Sequence, residues 1–102
     1  MSKRIGYMFA GQGAQTPGMG RDLHEHSAAA KATFAQADAI LGRPLSSTCF
    51  HGAAEDLTAC ATCQPAITAM SLACLAAWNE RTNVTPVICG GLSLGEYAAL
   101  QA

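Results

Sequence analysis

The pentapeptide Gly91-Leu92-Ser93-Leu94-Gly95 constrains the fold of this chain more than any other segment. It follows an apolar run that ends in Val87-Ile88-Cys89, typical of a short buried strand, and it precedes a helix-like run over Glu96–Leu100. A strand, a tight turn flanked by glycines and a helix together form a nucleophile elbow, in which free amides at the helix start can stabilise an oxyanion. The pattern therefore predicts Ser93 as a catalytic nucleophile. The alternative is that Ser93 only caps the helix.

A second glycine-rich segment lies near the start of the chain, where the apolar run Ile5–Ala10 leads into Gly11-Gln12-Gly13-Ala14-Gln15. This pattern predicts a buried strand that opens into a loop. A dinucleotide-binding fingerprint would require glycine at Thr16, and a phosphate-binding loop counted from Gly13 would require Lys-Ser/Thr at Met19-Gly20. Both fail, so we expect the loop to donate backbone N–H groups to an oxyanion instead.

The remaining pattern predicts helices between the two strands. We expect a short helix from Met19 to His26, a helix over Ala28–Leu41 between an N-cap at Ser27 and a stop at Gly42, a turn at Asp56–Thr58, and a long helix over Gln64–Glu80 with Met70 and Trp78 in the core. Strands joined by helical crossovers imply a parallel sheet with helices on both faces. Two strands are few for such a sheet, so we expect an α/β fold whose C-terminal part is missing, residues 1–102 being one portion of a single domain.

Composition excludes several classes of protein. The formal net charge of −1 gives no electrostatic reason to expect binding to nucleic acid or to an anionic membrane. The sequence shows no secretory leader, so we expect a cytoplasmic protein. Half of the residues are hydrophobic and only 13% are charged, which is low for a small domain on its own and suits an incomplete one.

Cysteine and histidine residues raise a competing hypothesis. Cys49, His51, Cys60 and Cys63 fall within 15 residues, and four such ligands could hold zinc in a small stapled module. Their spacing is irregular, and a single C-x-x-C is a weak signal. Reduced thiols and no metal are the expected state of a chain without a secretory signal.

Three landmarks occur in a fixed order along the chain: Phe9-Ala10-Gly11-Gln12-Gly13-Ala14-Gln15, then Cys63-Gln64-Pro65-Ala66, then Gly91-Leu92-Ser93-Leu94-Gly95-Glu96-Tyr97. Together they resemble the N-terminal part of the malonyl-CoA:acyl carrier protein transacylases. The resemblance implies a partial hydrolase-like fold and the transfer of a malonyl group from coenzyme A to acyl carrier protein, in fatty acid or polyketide synthesis, without a cofactor.

The resemblance also assigns roles to individual residues. It implies that Ser93 carries the malonyl ester, that the backbone amides of Gln12 and Leu94 form the oxyanion hole, and that Gln64 lines the substrate site. The family usually has histidine before the nucleophile, where this chain has Leu92; that neighbour is not the general base, and we expect it to support the elbow.

The family's catalytic histidine and its carboxylate-binding arginine both follow the nucleophile at a distance that this sequence does not reach. His24, His26 and His51 do not match the family's base, and a serine hydroxyl without a base is a weak nucleophile. We therefore expect the isolated chain to be inactive. The alternative to an acyltransferase segment is a non-enzymatic product, either a truncated remnant or the zinc-stapled module.

Overall fold

The structure is a computed structural model that describes residues 5–11, 13, 15–58, 60–84, 86, 88–91 and 94–101, without the side chains of Cys60, Ala61, Glu96 and Tyr97. Within these residues, two strands and six helices follow one another in the order β1 (Gly6–Phe9), α1 (Arg21–His26), α2 (Ala28–Leu41), α3 (Leu45–His51), α4 (Ala54–Thr58), α5 (Cys60–Arg81), β2 (Ile88–Gly91) and α6 (Gly95–Gln101). The predicted α/β organisation is confirmed.

β1 and β2 form a two-stranded parallel sheet in which Gly6 lies opposite Ile88 and Phe9 opposite Gly91. One face of this sheet turns toward α5. The Tyr7 hydroxyl accepts a hydrogen bond from Nε1 of Trp78 at 2.8 Å and donates one to the Val84 carbonyl at 3.3 Å. The phenol thereby ties the first strand both to the end of α5 and to the segment that leads into the second strand.

The opposite face of the sheet, which we name the bare sheet face, consists of Gly6, Met8, Ile88 and Gly90, all exposed. Met8 is 93% exposed and Ile88 69%. The sequence led us to expect helices on both faces. The crossover from β1 to β2 reaches the Tyr7 side of the sheet through Trp78 of α5, and the four residues on the opposite face stay exposed within the described part of the chain.

Most of the hydrophobic core lies between helices. α5 is the main packing partner of α2, and the buried residues that α5 contributes to this core are alanines, which let two helix axes approach closely. The buried cluster consists of Ala30, Phe34, Leu45, Cys49, Leu57, Ala66, Ala69, Ala73 and Ala77. The loop that leaves β1 reaches this core where the Gly18 amide donates to the Cys49 carbonyl at 2.8 Å.

The start of α2 is capped as predicted and is also held from α5. The Ser27 hydroxyl oxygen accepts from the Ala30 amide at 3.1 Å. The same hydroxyl donates to one carboxylate oxygen of Glu80, and the other oxygen accepts from the Ala29 amide, both at 3.1 Å. A carboxylate at a helix N-terminus also interacts favourably with the helix dipole. Arg81 completes the link by donating to the His26 carbonyl at 3.2 Å.

Replacing Glu80 with alanine is expected to lower the free energy of unfolding by about 1–2 kcal/mol, because two hydrogen bonds to a charged acceptor are lost and the Ala29 amide loses its partner. A urea titration followed by helical circular dichroism measures the change. Asn79→Ala, an exposed neighbour on the same helix, is the matched control, and equal effects of the two substitutions would contradict the role given to Glu80.

Two helices differ from the sequence-based expectation. No helix was predicted between Gly42 and Asp56, but Leu45–His51 forms α3, with His51 as its last residue. α3 forms because the burial of Leu45 and Cys49 outweighs the low helix propensity of its serine and threonine residues. α5 begins at Cys60 and not at Gln64, so Pro65 lies inside it. Burial of Cys63 compensates for the backbone hydrogen bond that proline cannot make.

Gly20, immediately before α1, allows the loop after β1 to enter the helical core. Its φ is +83°, and a Cβ there would lie 2.7 Å from Cζ of Phe34 and 2.8 Å from Sδ of Met70. Phe34 is buried in the helical core, with 1% of its surface exposed. Gly20→Ala is therefore expected to lower the free energy of unfolding by about 2–4 kcal/mol, the sum of backbone strain and overpacking. An unchanged urea midpoint in this variant would show that the packing around Phe34 is looser than described.

Candidate functional site

The carboxyl ends of the two strands meet at one edge of the sheet. Phe9 pairs with Gly91, so the loop that follows β1 and the turn that follows β2 leave the sheet side by side. Two of the residues predicted for the site, Gln12 and Ser93, lie outside the described residues, as does Leu92. Their described neighbours, Gly11 and Leu94, are buried and half-buried. The edge therefore brings together the two segments that the sequence singled out.

Gly95 fixes how closely these two segments approach. It is the first residue of α6 and is buried. A Cβ at this position would overlap the Phe9 carbonyl oxygen and lie 2.8 Å from the Ala10 carbonyl oxygen. Only glycine permits this contact between the helix start and the end of β1. The pentapeptide contains this glycine, but no local pattern shows that its partner is a backbone segment 85 residues earlier.

Within the loop that follows β1, a side chain forms a hydrogen bond with the loop backbone. The Gly13 amide donates to Oε1 of Gln15 at 2.8 Å, and the Gly13 backbone has a φ of +106°. Gln15 therefore uses one of the loop amides that could otherwise face an anion. This brace was not predicted. The role of the Gln12 amide in the oxyanion hole, which the resemblance implies, stays a prediction.

Gln64 projects from the second turn of α5 and is exposed. It lies fourteen residues before Trp78, which corresponds to about 21 Å along the helix axis. Trp78, near the end of α5, forms a hydrogen bond with Tyr7, near the start of β1. Because α5 then leads to the start of β2, the opposite end of α5, which carries Gln64, lies nearer the carboxyl edge of the strands. No hydrogen bond joins it to Leu94 among the described residues, so its place in a substrate site stays a prediction.

Among the described residues, the three histidine rings contact residues of the helices and not the carboxyl edge of the sheet. The His24 ring packs on Phe50 with 4.9 Å between ring centroids. Nδ1 of His26 lies 2.8 Å from the Asp22 carbonyl oxygen, and the exposed His51 ring contacts Phe50 at its edge. All three rings interact with α1 or α3, and none of these contacts involves Leu94 or Gly11.

Two of the thiols considered as zinc ligands, those of Cys49 and Cys63, lie in the protein interior. Burial, followed by the nearby negative charge of Asp38, raises the pKa of the Cys49 thiol to about 11, so it stays protonated at neutral pH. Cys63 is buried as well. Among the described side chains, which exclude that of Cys60, no group of three histidine, cysteine, aspartate or glutamate residues could hold a metal ion. Nor is any described helix long and apolar enough to cross a membrane.

Solved structures of larger proteins contain the same arrangement. The malonyl CoA-acyl carrier protein transacylase from Coxiella burnetii superposes with a TM-score of 0.92 at 34% identity, over 96% of this chain and 31% of that chain. A malonyl-transacylase in complex with a type II polyketide synthase acyl-carrier protein superposes with a TM-score of 0.90 at 37% identity, over 96% of this chain and 32% of that chain.

Sequence comparison agrees with the structural comparison. The malonyl CoA-acyl carrier protein transacylase of Bacillus subtilis (strain 168) is 47% identical over 102 residues, which make up all of this chain and 32% of that protein. This chain thus spans about a third of the length of the relatives it matches. The profile of the acyl transferase domain family matches residues 6–102. The chain belongs to the acyl transferase domain family.

Proposed function

We propose that this chain supplies the nucleophile and the oxyanion-binding loop of an enzyme that transfers malonyl groups from coenzyme A to acyl carrier protein. The observation that carries the proposal is the contact of Gly95 with the end of β1, which holds the turn after β2 against the loop after β1. The names of the relatives supply the substrates: malonyl CoA and an acyl carrier protein.

The local architecture supports a hydrolase-like elbow. β2 ends at Gly91, Leu94 lies in a turn, and α6 begins at Gly95. Ser93 directly precedes Leu94 in the sequence, and the first amides of a helix have no partner within that helix. The amides of Gln12 and Leu94 come from the two segments that meet at this edge, which is how an oxyanion hole is assembled from separate loops.

The proposed transfer takes place in two half-reactions. The Ser93 hydroxyl loses its proton to a general base, its oxygen bonds to the malonyl carbonyl carbon, and the carbon–sulfur bond breaks to release coenzyme A as a thiol that regains the proton. In the second half, the thiol of the acyl carrier protein's phosphopantetheine attacks the serine ester, and the Ser93 oxygen takes the proton back. The amides stabilise the negative oxygen in both steps.

By resemblance, the general base and the arginine that binds the malonyl carboxylate belong to the part of the relatives that this chain does not match. We propose that residues 1–102 form one portion of a single acyl transferase domain, because the family profile matches residues 6–102, a range that includes every described strand and helix. Gln64, exposed near the carboxyl edge, is proposed to line the substrate site from α5.

The test is a fusion in which this chain replaces the matching third of the Bacillus subtilis transacylase. Brief incubation with malonyl-CoA, followed by intact-mass analysis and peptide mapping, is expected to show one malonyl adduct on the peptide that contains Ser93. Added holo acyl carrier protein should then remove the adduct and become malonylated itself. The unmodified relative is the positive control. A fusion that folds but takes up no malonyl group, or takes it up on another residue, would refute the proposal.

The residue before the nucleophile gives a further prediction. If Leu92 only supports the elbow, Leu92→His in the fusion is expected to change kcat/KM by no more than about tenfold, or ~1.4 kcal/mol. Steady-state transfer assays at several malonyl-CoA concentrations measure this ratio. An increase of several orders of magnitude would mean that Leu92 impairs catalysis.

A further inference from the structure

The loop that follows β1 passes through a backbone conformation that glycine adopts far more readily than other residues. Gly13 has a φ of +106°, and a Cβ built at this position would meet no described atom within 4 Å. Glycine is therefore favoured here by the backbone conformation and not by a lack of space. Because glycine also has the largest conformational freedom of any residue, this conformation is maintained only if another group stabilises it.

Gln15 supplies a group that stabilises this conformation. Its Oε1 atom accepts a hydrogen bond from the Gly13 amide at 2.8 Å, a contact that we name the Gln15 brace. The hydrogen bonds that follow along the loop join backbone groups: the Met19 amide donates to the Thr16 carbonyl at 3.0 Å, and the Gly18 amide donates to a carbonyl of α3. The Gln15 brace thus acts on the part of the loop nearer to β1.

The Gln15 brace determines the direction of one loop amide. A peptide unit is planar, so a hydrogen bond at the Gly13 amide orients the whole peptide unit that ends at Gly13. The Gly13 amide faces the side chain of Gln15 and is not available to an anion. Gln12, whose amide is proposed to face the oxyanion, directly precedes Gly13 in the sequence.

The other side of residue 12 also follows a fixed point. The carbonyl oxygens of Phe9 and Ala10 lie against Gly95, at the start of α6. In the sequence, residue 12 therefore lies between this contact and the Gln15 brace. An oxyanion donor is effective when its position is fixed before the reaction, since it then needs no reorganisation as the charge develops.

We propose that Gln15 is a positioning residue for the transfer reaction. Its side chain holds Gly13 at a positive φ and occupies the Gly13 amide, so that the Gln12 amide is the loop donor presented to the oxyanion. Gln15 acts through the loop backbone and contacts neither the malonyl group nor the nucleophile. The inference rests on the proposed function, because it requires an oxyanion to form at Ser93.

The experiment uses the fusion with the Bacillus subtilis transacylase, at a temperature well below its thermal midpoint. Intact mass after rapid quenching gives the rate of Ser93 acylation over a range of malonyl-CoA concentrations. Gln15→Met removes the acceptor and keeps the length of the side chain. It is expected to lower the maximal rate about threefold to tenfold, the effect of one neutral hydrogen bond, and to leave the half-saturating concentration of malonyl-CoA unchanged. Gln36→Met, at an exposed glutamine of α2, is the matched control and should change neither value.

A second substitution tests whether Gln15 acts through Gly13. Gly13→Ala introduces no clash with the described atoms but disfavours a positive φ, so it should slow acylation by itself. The double variant Gly13→Ala/Gln15→Met should be no slower than the slower of the two single variants, because both substitutions remove the same contact.

Three results would overturn the inference. They are an unchanged maximal rate in Gln15→Met or in Gly13→Ala, a loss that appears only as a higher half-saturating concentration, and losses that add in the double variant. The parent fusion distinguishes these results from a failure of the proposed function. A parent fusion that folds but forms no adduct on Ser93 refutes the proposed function, and this inference with it. If the parent fusion forms the adduct, the Gln15 and Gly13 variants decide the inference on their own.

Discussion

Ser93→Ala in the fusion with the Bacillus subtilis transacylase is expected to eliminate the malonyl adduct and to reduce turnover about 10⁴-fold or more. The substitution removes the only atom that can carry the ester in the proposed mechanism, and loss of the nucleophile costs as much as loss of the whole catalytic set in enzymes of this kind. Intact mass after brief exposure to malonyl-CoA gives the adduct, and transfer to acyl carrier protein gives the rate.

The control for this experiment is Ser47→Ala, an exposed serine on α3. It should leave both the adduct and the rate unchanged, whereas the thermal midpoints of the two variants and their parent should agree. An adduct that persists in Ser93→Ala would transfer the role of nucleophile to another residue. A midpoint that falls only in Ser93→Ala would support the alternative that the hydroxyl caps α6.

Local sequence patterns were sufficient to predict the elements whose structure depends mainly on their own residues. The α2 helix begins after Ser27 and ends before Gly42 as predicted, because the cap hydroxyl and the terminal glycine act on neighbouring backbone groups. Both strands also formed at the predicted places, within one or two residues, but they were predicted to be buried and their residues are exposed or half-buried. Their parallel pairing followed from the helical connection between them.

Tertiary packing decided the elements that the sequence did not reveal. α3 has no strong helical pattern, and it exists because Leu45 and Cys49 are buried against neighbouring helices. Trp78 was expected in the core of the apolar α5, yet it is 44% exposed, because its indole N–H turns outward to the Tyr7 hydroxyl. Neither outcome can be read from spacing along one helix.

The candidate site likewise depends partly on local sequence patterns and partly on tertiary contacts. The two motifs that form it are visible in the sequence, but the distance between them depends on contacts across 85 residues. The contact of Gly95 with the Phe9 and Ala10 carbonyls sets that distance. The brace between Gly13 and Gln15 likewise depends on how the loop folds back on itself. These contacts, more than the motifs, decide whether the amides of Gln12 and Leu94 can face one oxygen atom.

Gly95→Ala therefore has the second large effect that we expect. A methyl group at this position would overlap the Phe9 carbonyl oxygen, which is backbone in a paired strand and cannot rotate away. The start of α6 must retreat from β1, and we expect the proposed nucleophile, two residues earlier in the sequence, to be displaced with it. A displacement of about 1 Å between a nucleophile and its oxyanion donors can cost about 10²-fold in rate. The overpacking itself costs about 1–3 kcal/mol of stability.

Two measurements separate these consequences. In the fusion, the rate of adduct formation on Ser93 should fall about 10²-fold at a temperature well below the midpoint, where the variant is fully folded. The matched control is Gln101→Ala, an exposed residue in the last turn of the same helix, which should change neither rate nor midpoint. A Gly95→Ala variant with a normal acylation rate would show that the close approach of α6 to β1 is a packing feature only. The oxyanion donors would then have to be sought away from this edge of the sheet.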